Sequence, residues 1–89
     1  MVEQEVAVVN KIGFHARPAS LLIHTAQNYK SVVYITKNGQ QIVLGSLISL
    51  MKLRVKFGDV VTIKAEGPDE AEALKNLVTL IENKFGESE

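Results

Sequence analysis

The stretch SVVYITKNGQQIVL, residues 31–44, restricts the fold more than any other part of the chain. Two β-rich runs flank Asn38-Gly39, a pair that tolerates the positive φ values a tight hairpin turn demands. The stretch predicts two neighbouring antiparallel strands, with Val33, Ile35, Ile42 and Leu44 facing a core. A lone hairpin cannot hide such a face from water, so the remaining segments must supply more strands and a covering layer.

They have the patterns to do so. VEQEVAVVN sets Val6 and Val8 against Glu3 and Glu5 with the period of two that marks a half-buried strand, running to a turn around Gly13. From Ala16 to about Asn28 the period changes: Ala19, Leu22, Ile23 and Ala26 form one helical stripe, with Pro18 in the first turn, where a missing N–H costs nothing. GSLISLMKL predicts a short helix with Ser46 as N-cap, and periodicity turns Leu47, Leu50 and Met51 inward.

After a turn at Gly58-Asp59, VVTIKAE alternates Val61, Ile63 and Ala65 with Thr62, Lys64 and Glu66, a fourth strand with one wet face. GPDEAEALKNLVTLIENKFG predicts a last helix. Asp69 and Glu72 are placed for a capping box, Leu74, Leu77, Val78, Ile81 and Phe85 form its stripe, and Gly86 is its stop. The order βαββαβα, with one apolar face per element, predicts two layers: an α+β fold in which helices cover one side of a mainly antiparallel sheet. Residues 1–89 carry no repeat, linker or low-complexity tract and read as one domain.

Charge and composition narrow the function. Ten basic and ten acidic side chains cancel, which removes the broad positive field of a general nucleic-acid binder. Five scattered aromatics do not make the stacking surface of a small RNA-binding α+β domain. No cysteine is present, so neither disulfides nor thiolate metal ligands are available; no metal spacing, Ser-His-Asp pattern or P-loop occurs. No apolar run approaches the ~20 residues of a membrane span, and MVEQEV lacks the basic start of a signal peptide, so a cytoplasmic protein without cofactor or membrane insertion is expected.

The chemistry concentrates where the first strand meets the first helix. His15 falls at the cap or first turn, beside backbone N–H groups without intrahelical partners and at the positive end of the helix dipole, a natural anion site. The same field disfavours a positive charge on the ring, and a neutral imidazole is a nucleophile. Arg17 offers a planar, permanent charge suited to phosphate oxygens, and Gly13 lets the backbone turn sharply without a side chain crowding the ring. Together with the Ala16 and Arg17 amides, these residues describe a site that takes a phosphoryl group on His15. An exposed loop histidine followed by a solvated arginine is the plainer alternative.

GFHARPAS resembles the active-site signature of the HPr family, the phosphocarriers of the phosphoenolpyruvate-dependent sugar phosphotransferase system. The likeness extends over essentially the whole chain, including the element order, the Asn38-Gly39 hairpin, GSLISLMKL in the place of the family's regulatory segment and the final amphipathic helix. It implies an open-faced β-sandwich, a four-stranded antiparallel sheet with three helices on one face. It also implies that Enzyme I passes a phosphoryl group to Nδ1 of His15, that Arg17 assists, and that a IIA domain of a sugar permease receives the group. Such a protein is a recyclable monomeric carrier rather than an enzyme. A nitrogen-related or regulatory paralogue is the alternative within the family, and the known non-carrier relative has glutamine where this chain has His15.

Ser46 stands where Gram-positive relatives carry a serine phosphorylated by HPr kinase/phosphorylase, a modification tied to catabolite-control transcription regulators. Ile48 and Ser49 depart from the Met and Gly common there, which counts against recognition by the kinase and those regulators. Ile12 replaces a small polar residue of some relatives, which excludes a side-chain hydrogen bond to His15 from that position. Phe14, Leu47, Ile48 and Met51 are expected as an exposed apolar rim for partners around His15, with Leu47 and Ile48 outside and Leu50 inside. Lys52, Arg54 and Lys56 form a basic edge near the same end, His24 reads as an exposed spectator, and the acidic set Glu66, Asp69, Glu70 and Glu72 reads as helix capping.

Overall fold

Asn38 and Gly39 adopt φ of 52° and 81°, and the strands they join pair as the sequence requires. A computed structural model describes residues 1–86. The elements are β1 (Val2–Ala7), α1 (Ala16–Ala26), β2 (Val32–Lys37), β3 (Gln40–Val43), α2 (Leu47–Lys52), β4 (Val60–Glu66) and α3 (Glu70–Glu82), followed by a 3₁₀ turn over Lys84–Gly86. The sheet runs β1-β4-β2-β3 with every pair antiparallel, so β4 and β2 are central and β1 and β3 are edges.

Register decides which side chains meet. Val6 pairs with Val61, and Val33 and Ile35 pair with Ala65 and Ile63; all six are buried. The three helices close over this face, bringing Ala19, Leu22, Ile23, Leu50, Leu77 and Ile81 onto it, and each of the leucines and isoleucines withdrawn from water is worth about 1.5–3 kcal/mol. The opposite face is open: Lys64 lies over the Tyr34 ring at 5.6 Å, and Val60 and Val43 are exposed. Of the hairpin residues expected inside, Val33, Ile35 and Leu44 are buried, while Ile42, on the edge strand, is covered only in part.

The last helix departs from expectation at both ends. No Asp69–Glu72 capping box forms, because the Asp69 carboxylate faces another part of the chain: it accepts from the Lys30 amide at 2.8 Å, the Ser31 amide at 2.9 Å and the Ser31 hydroxyl. Glu70 reaches back instead, accepting from the Gly67 amide at 3.1 Å. The close approach requires glycine at 67, since a Cβ there would lie 2.6 Å from Ser31 Cα. At the other end α3 stops at Glu82, short of Gly86, and Lys84 and Phe85 both take positive φ. Left-handed backbone costs a residue with a Cβ about 1–2 kcal/mol. Burial of the Phe85 ring edge-to-face against Phe14, with centroids 5.4 Å apart, offsets it.

Candidate functional site

The segment between β1 and α1 is fastened on both sides before it reaches the histidine. The Val8 amide donates to Asp59 O at 2.8 Å and Val8 O accepts from the Gly58 amide at 2.9 Å, which extends the β1–β4 pairing past the end of the strand. Asn10, fully buried, donates from Nδ2 to Gly13 O at 2.6 Å, and Asn10 O accepts from the Gly13 amide, closing a tight turn. The Phe14 amide then donates to Val55 O at 3.1 Å.

Gly13 is required for a reason the sequence does not display. Its φ is +76°, and a Cβ would lie 2.6 Å from Val55 O and 2.8 Å from Lys56 Cα, so the glycine permits contact with the backbone before β4 rather than clearing space at the imidazole. Phe14 corrects the expected rim as well. It is 5% exposed and sits in the core against Phe85, because the chain must anchor the loop somewhere and an aromatic ring anchors it best inside.

His15 is the N-cap of α1, half-buried, in extended conformation with φ −77° and ψ −176°, and its side chain makes no capping bond. Its carbonyl accepts from the Ala19 amide at 3.0 Å. Pro18, buried in the first turn, has no N–H to leave unpaired, and the Ala16 and Arg17 amides, the first two of α1, come too early in the helix for an intrahelical acceptor. Arg17 is exposed beside them, and with Ser20, Leu21 and His24 it lines a shallow groove along the outer side of α1. A second cleft, between β1 and α3, is lined by Val2, Gln4, Leu74 and Lys75 and lies on another part of the surface.

Helix α2 packs against α1, and its Ser46 Oγ accepts from the Ser49 amide at 3.3 Å, as expected of an N-cap. Of the residues that periodicity turns inward only Leu50 is buried; Leu47 and Met51 are exposed with Ile48, the last at 69%, because a helix of six residues covers the core with a single side chain. Ile12 and Phe57 are exposed on the loops beside the site, and Phe57 was not singled out in the sequence because a lone aromatic in a charged turn carries no period. Lys52, Arg54 and Lys56 are exposed.

Sequence reasoning missed two further residues. Asn10 closes the turn before His15; its signal is an Asx-type residue directly after an apolar strand. Lys37, at the end of β2, donates to Leu53 O at 3.1 Å and Arg54 O at 2.6 Å and pairs with Asp59 at 3.0 Å, contacts made across the fold that no local pattern announces. The Asp59 carboxyl is held below its ordinary range first by the Lys56 amide and then by Lys37. Among the described residues no cluster of His, Asp or Glu is placed to hold a metal ion, and no helix is long and apolar enough to cross a membrane.

A four-stranded antiparallel sheet covered on one face by three helices, with a histidine at a helix start beside an arginine, is the architecture that the comparisons with known proteins place in a family. The family model described as PTS HPr component, phosphorylation site, matches residues 2–83. The phosphocarrier protein HPr of Cupriavidus necator is 39% identical over 89 residues, covering both chains completely. The HPr-like protein Crh of Bacillus subtilis is 39% identical over 84 residues, 94% of this chain and 99% of its own. The crystal structure of HPr-C-His from Thermoanaerobacter tengcongensis superposes with a TM-score of 0.95 at 44% identity, covering all of both chains. The chain belongs to the HPr family of phosphotransferase-system phosphocarriers.

Proposed function

We propose that the protein accepts a phosphoryl group from phospho-Enzyme I on Nδ1 of His15 and passes it to the IIA domain of a sugar permease. The observation that carries this reading is the helix start at His15, where the capping position holds an imidazole that does not cap. A neutral ring with its proton on Nε2 presents the Nδ1 lone pair to phosphorus; the new N–P bond forms as the bond from phosphorus to its donor atom on Enzyme I breaks. The Ala16 and Arg17 amides and the Arg17 guanidinium face the charge of the phosphoryl oxygens. Phosphoryl transfer needs mainly in-line positioning and charge stabilisation, so a carrier requires no further catalytic group. The same N–P bond serves as donor in the next transfer, which makes the protein a recyclable co-substrate, working as a monomer in the cytoplasm.

Leu47, Ile48 and Met51, with Ile12 nearby in the chain to His15, supply the apolar docking surface. The same reading gives Ser46 a regulatory role against the departures at Ile48 and Ser49: phosphorylation by HPr kinase/phosphorylase would convert the capping oxygen into a group of about −1.5 to −2 charge beside that surface, opposing Enzyme I and offering a contact to a catabolite-control regulator.

The test is incubation with phosphoenolpyruvate and catalytic Enzyme I. Intact mass is expected to show one acid-labile phosphoryl addition that is absent in His15→Ala. No addition under conditions that charge a control carrier would refute the reading. A parallel incubation with ATP and HPr kinase is expected to add one acid-stable phosphoryl group that Ser46→Ala lacks; an unchanged mass would leave Ser46 as a cap alone.

A further inference from the structure

Lys37 ends β2 beside an exposed hairpin turn, where a lysine is ordinarily solvated. Here its side chain is 14% exposed. An ammonium has three N–H donors, and three acceptors surround this one: Leu53 O at 3.1 Å, Arg54 O at 2.6 Å and Asp59 Oδ2 at 3.0 Å.

These acceptors lie at the two ends of one short segment. Leu53 is the C-cap of α2, and its carbonyl is one of those a helix end leaves without a partner. Arg54 follows in left-handed conformation, φ 54°, which a residue with a Cβ keeps only when its surroundings hold it there. Asp59 leads into β4, and its carboxylate also accepts from the Lys56 amide at 2.8 Å. Between them, Val55 O receives the Phe14 amide, Gly13 rests on the Val55–Lys56 backbone, and Gly58 and Asp59 hold Val8. The loop that presents His15 is thus bonded to the middle and one end of a segment whose ends a single ammonium draws together.

We infer that Lys37 is a positioning residue for phosphoryl transfer: it holds the end of α2, which carries the apolar docking surface, in register with the loop that carries His15. The inference rests on the carrier reading above. Without the ammonium, Leu53 O and Arg54 O lose their donor, the left-handed turn at Arg54 relaxes and Val55 shifts beneath Phe14. Displacements near 1 Å are enough to slow a positioned reaction by up to ~10²-fold.

The chain contains no cysteine, so a single one can be modified cleanly. Lys37→Cys is prepared in two forms, aminoethylated to restore an ammonium at nearly the original length or carboxamidomethylated to leave a neutral side chain, alongside Lys37→Met. Two quantities are read: amide hydrogen exchange at Phe14, Leu77 and Val78, and kcat/KM for phosphoryl acceptance from Enzyme I. In the neutral variants, Phe14 exchange is expected to rise about tenfold with α3 unchanged, and kcat/KM to fall about tenfold. Aminoethylation is expected to return both towards wild type. Unchanged Phe14 exchange, equal acceleration at all three amides, or failure of the aminoethylated form to recover would each overturn the inference. If wild-type protein accepts no phosphoryl group, the carrier reading fails and takes the transfer role with it, while the exchange pattern still decides whether Lys37 holds the loop.

Discussion

The helix starts at His15 and Ser46 both have extended backbone at the capping residue, yet their side chains are used in opposite ways. The Ser46 hydroxyl accepts the amide of Ser49, whereas His15 makes no capping bond. A side-chain cap is worth about 1 kcal/mol, so α1 forgoes a stabilisation that α2 keeps. The difference fits the role proposed for each start. A capped start has one of its donors occupied from within; on the carrier reading, the amides at the His15 start are left for a group that arrives from outside. Stability at the His15 start comes from behind instead: Asn10 closes the turn, Phe14 packs against Phe85, and Val55 O holds the Phe14 amide.

The glycines preceding the two starts give the largest expected contrast. Gly13→Ala forces a Cβ onto Val55 O at positive φ and is expected to destabilise the fold by about 3 kcal/mol in urea denaturation. Gly45→Ala, with Val43 Cγ1 4.0 Å away and no positive φ, is expected to stay within about 0.5 kcal/mol of wild type. Equal effects would mean that the loop before His15 is no more tightly packed than the one before Ser46.

Arg17→Ala separates charge at the open start from stability. Loss of a charge-assisted contact to the phosphoryl group is expected to slow acceptance from Enzyme I by roughly 10- to 100-fold, measured by rapid quench, with an unchanged melting temperature. Ser46→Ala should do the reverse: about 1 kcal/mol of stability is lost with the cap, while His15 still takes up its phosphoryl group. If Ser46→Ala abolished uptake, the two starts would not be separable as described.

The smallest effect concerns the third helix start. The Asp69 carboxyl is held below its ordinary range by the Ser31 hydroxyl and then by the Lys30 amide. A depressed folded-state pKa contributes stability that is complete above the unfolded value of about 3.9 and is lost as pH falls through the lower folded value. The wild type should therefore lose stability below about pH 4 more steeply than Asp69→Asn, as read from urea midpoints across that range.

Much of this was legible locally. The Asn38-Gly39 turn follows from the positive φ its two residues tolerate, the stripe of Ala19, Leu22, Ile23 and Ala26 and the alternation of Val61, Ile63 and Ala65 each repeat a simple period, and each element forms as its signal requires. His15 at a helix start was legible for the same reason, since Pro18 places the first turn. Phe14 was misread because its neighbours in sequence are site residues, while its partner Phe85 lies at the far end of the chain. The Asp69 capping box failed likewise: its motif is local, but Ser31 competes for the carboxylate from across the fold.

By itself, then, the sequence determined the elements, their order and the residue at the helix start, because hydrogen bonding and apolar periodicity act over a few residues. Tertiary structure decided that Gly13 serves a backbone contact, that Phe14 anchors rather than docks, and that Lys37 binds Leu53, Arg54 and Asp59 together. Those outcomes depend on which distant groups the closed sheet brings within a few ångströms, and only the folded chain places them there.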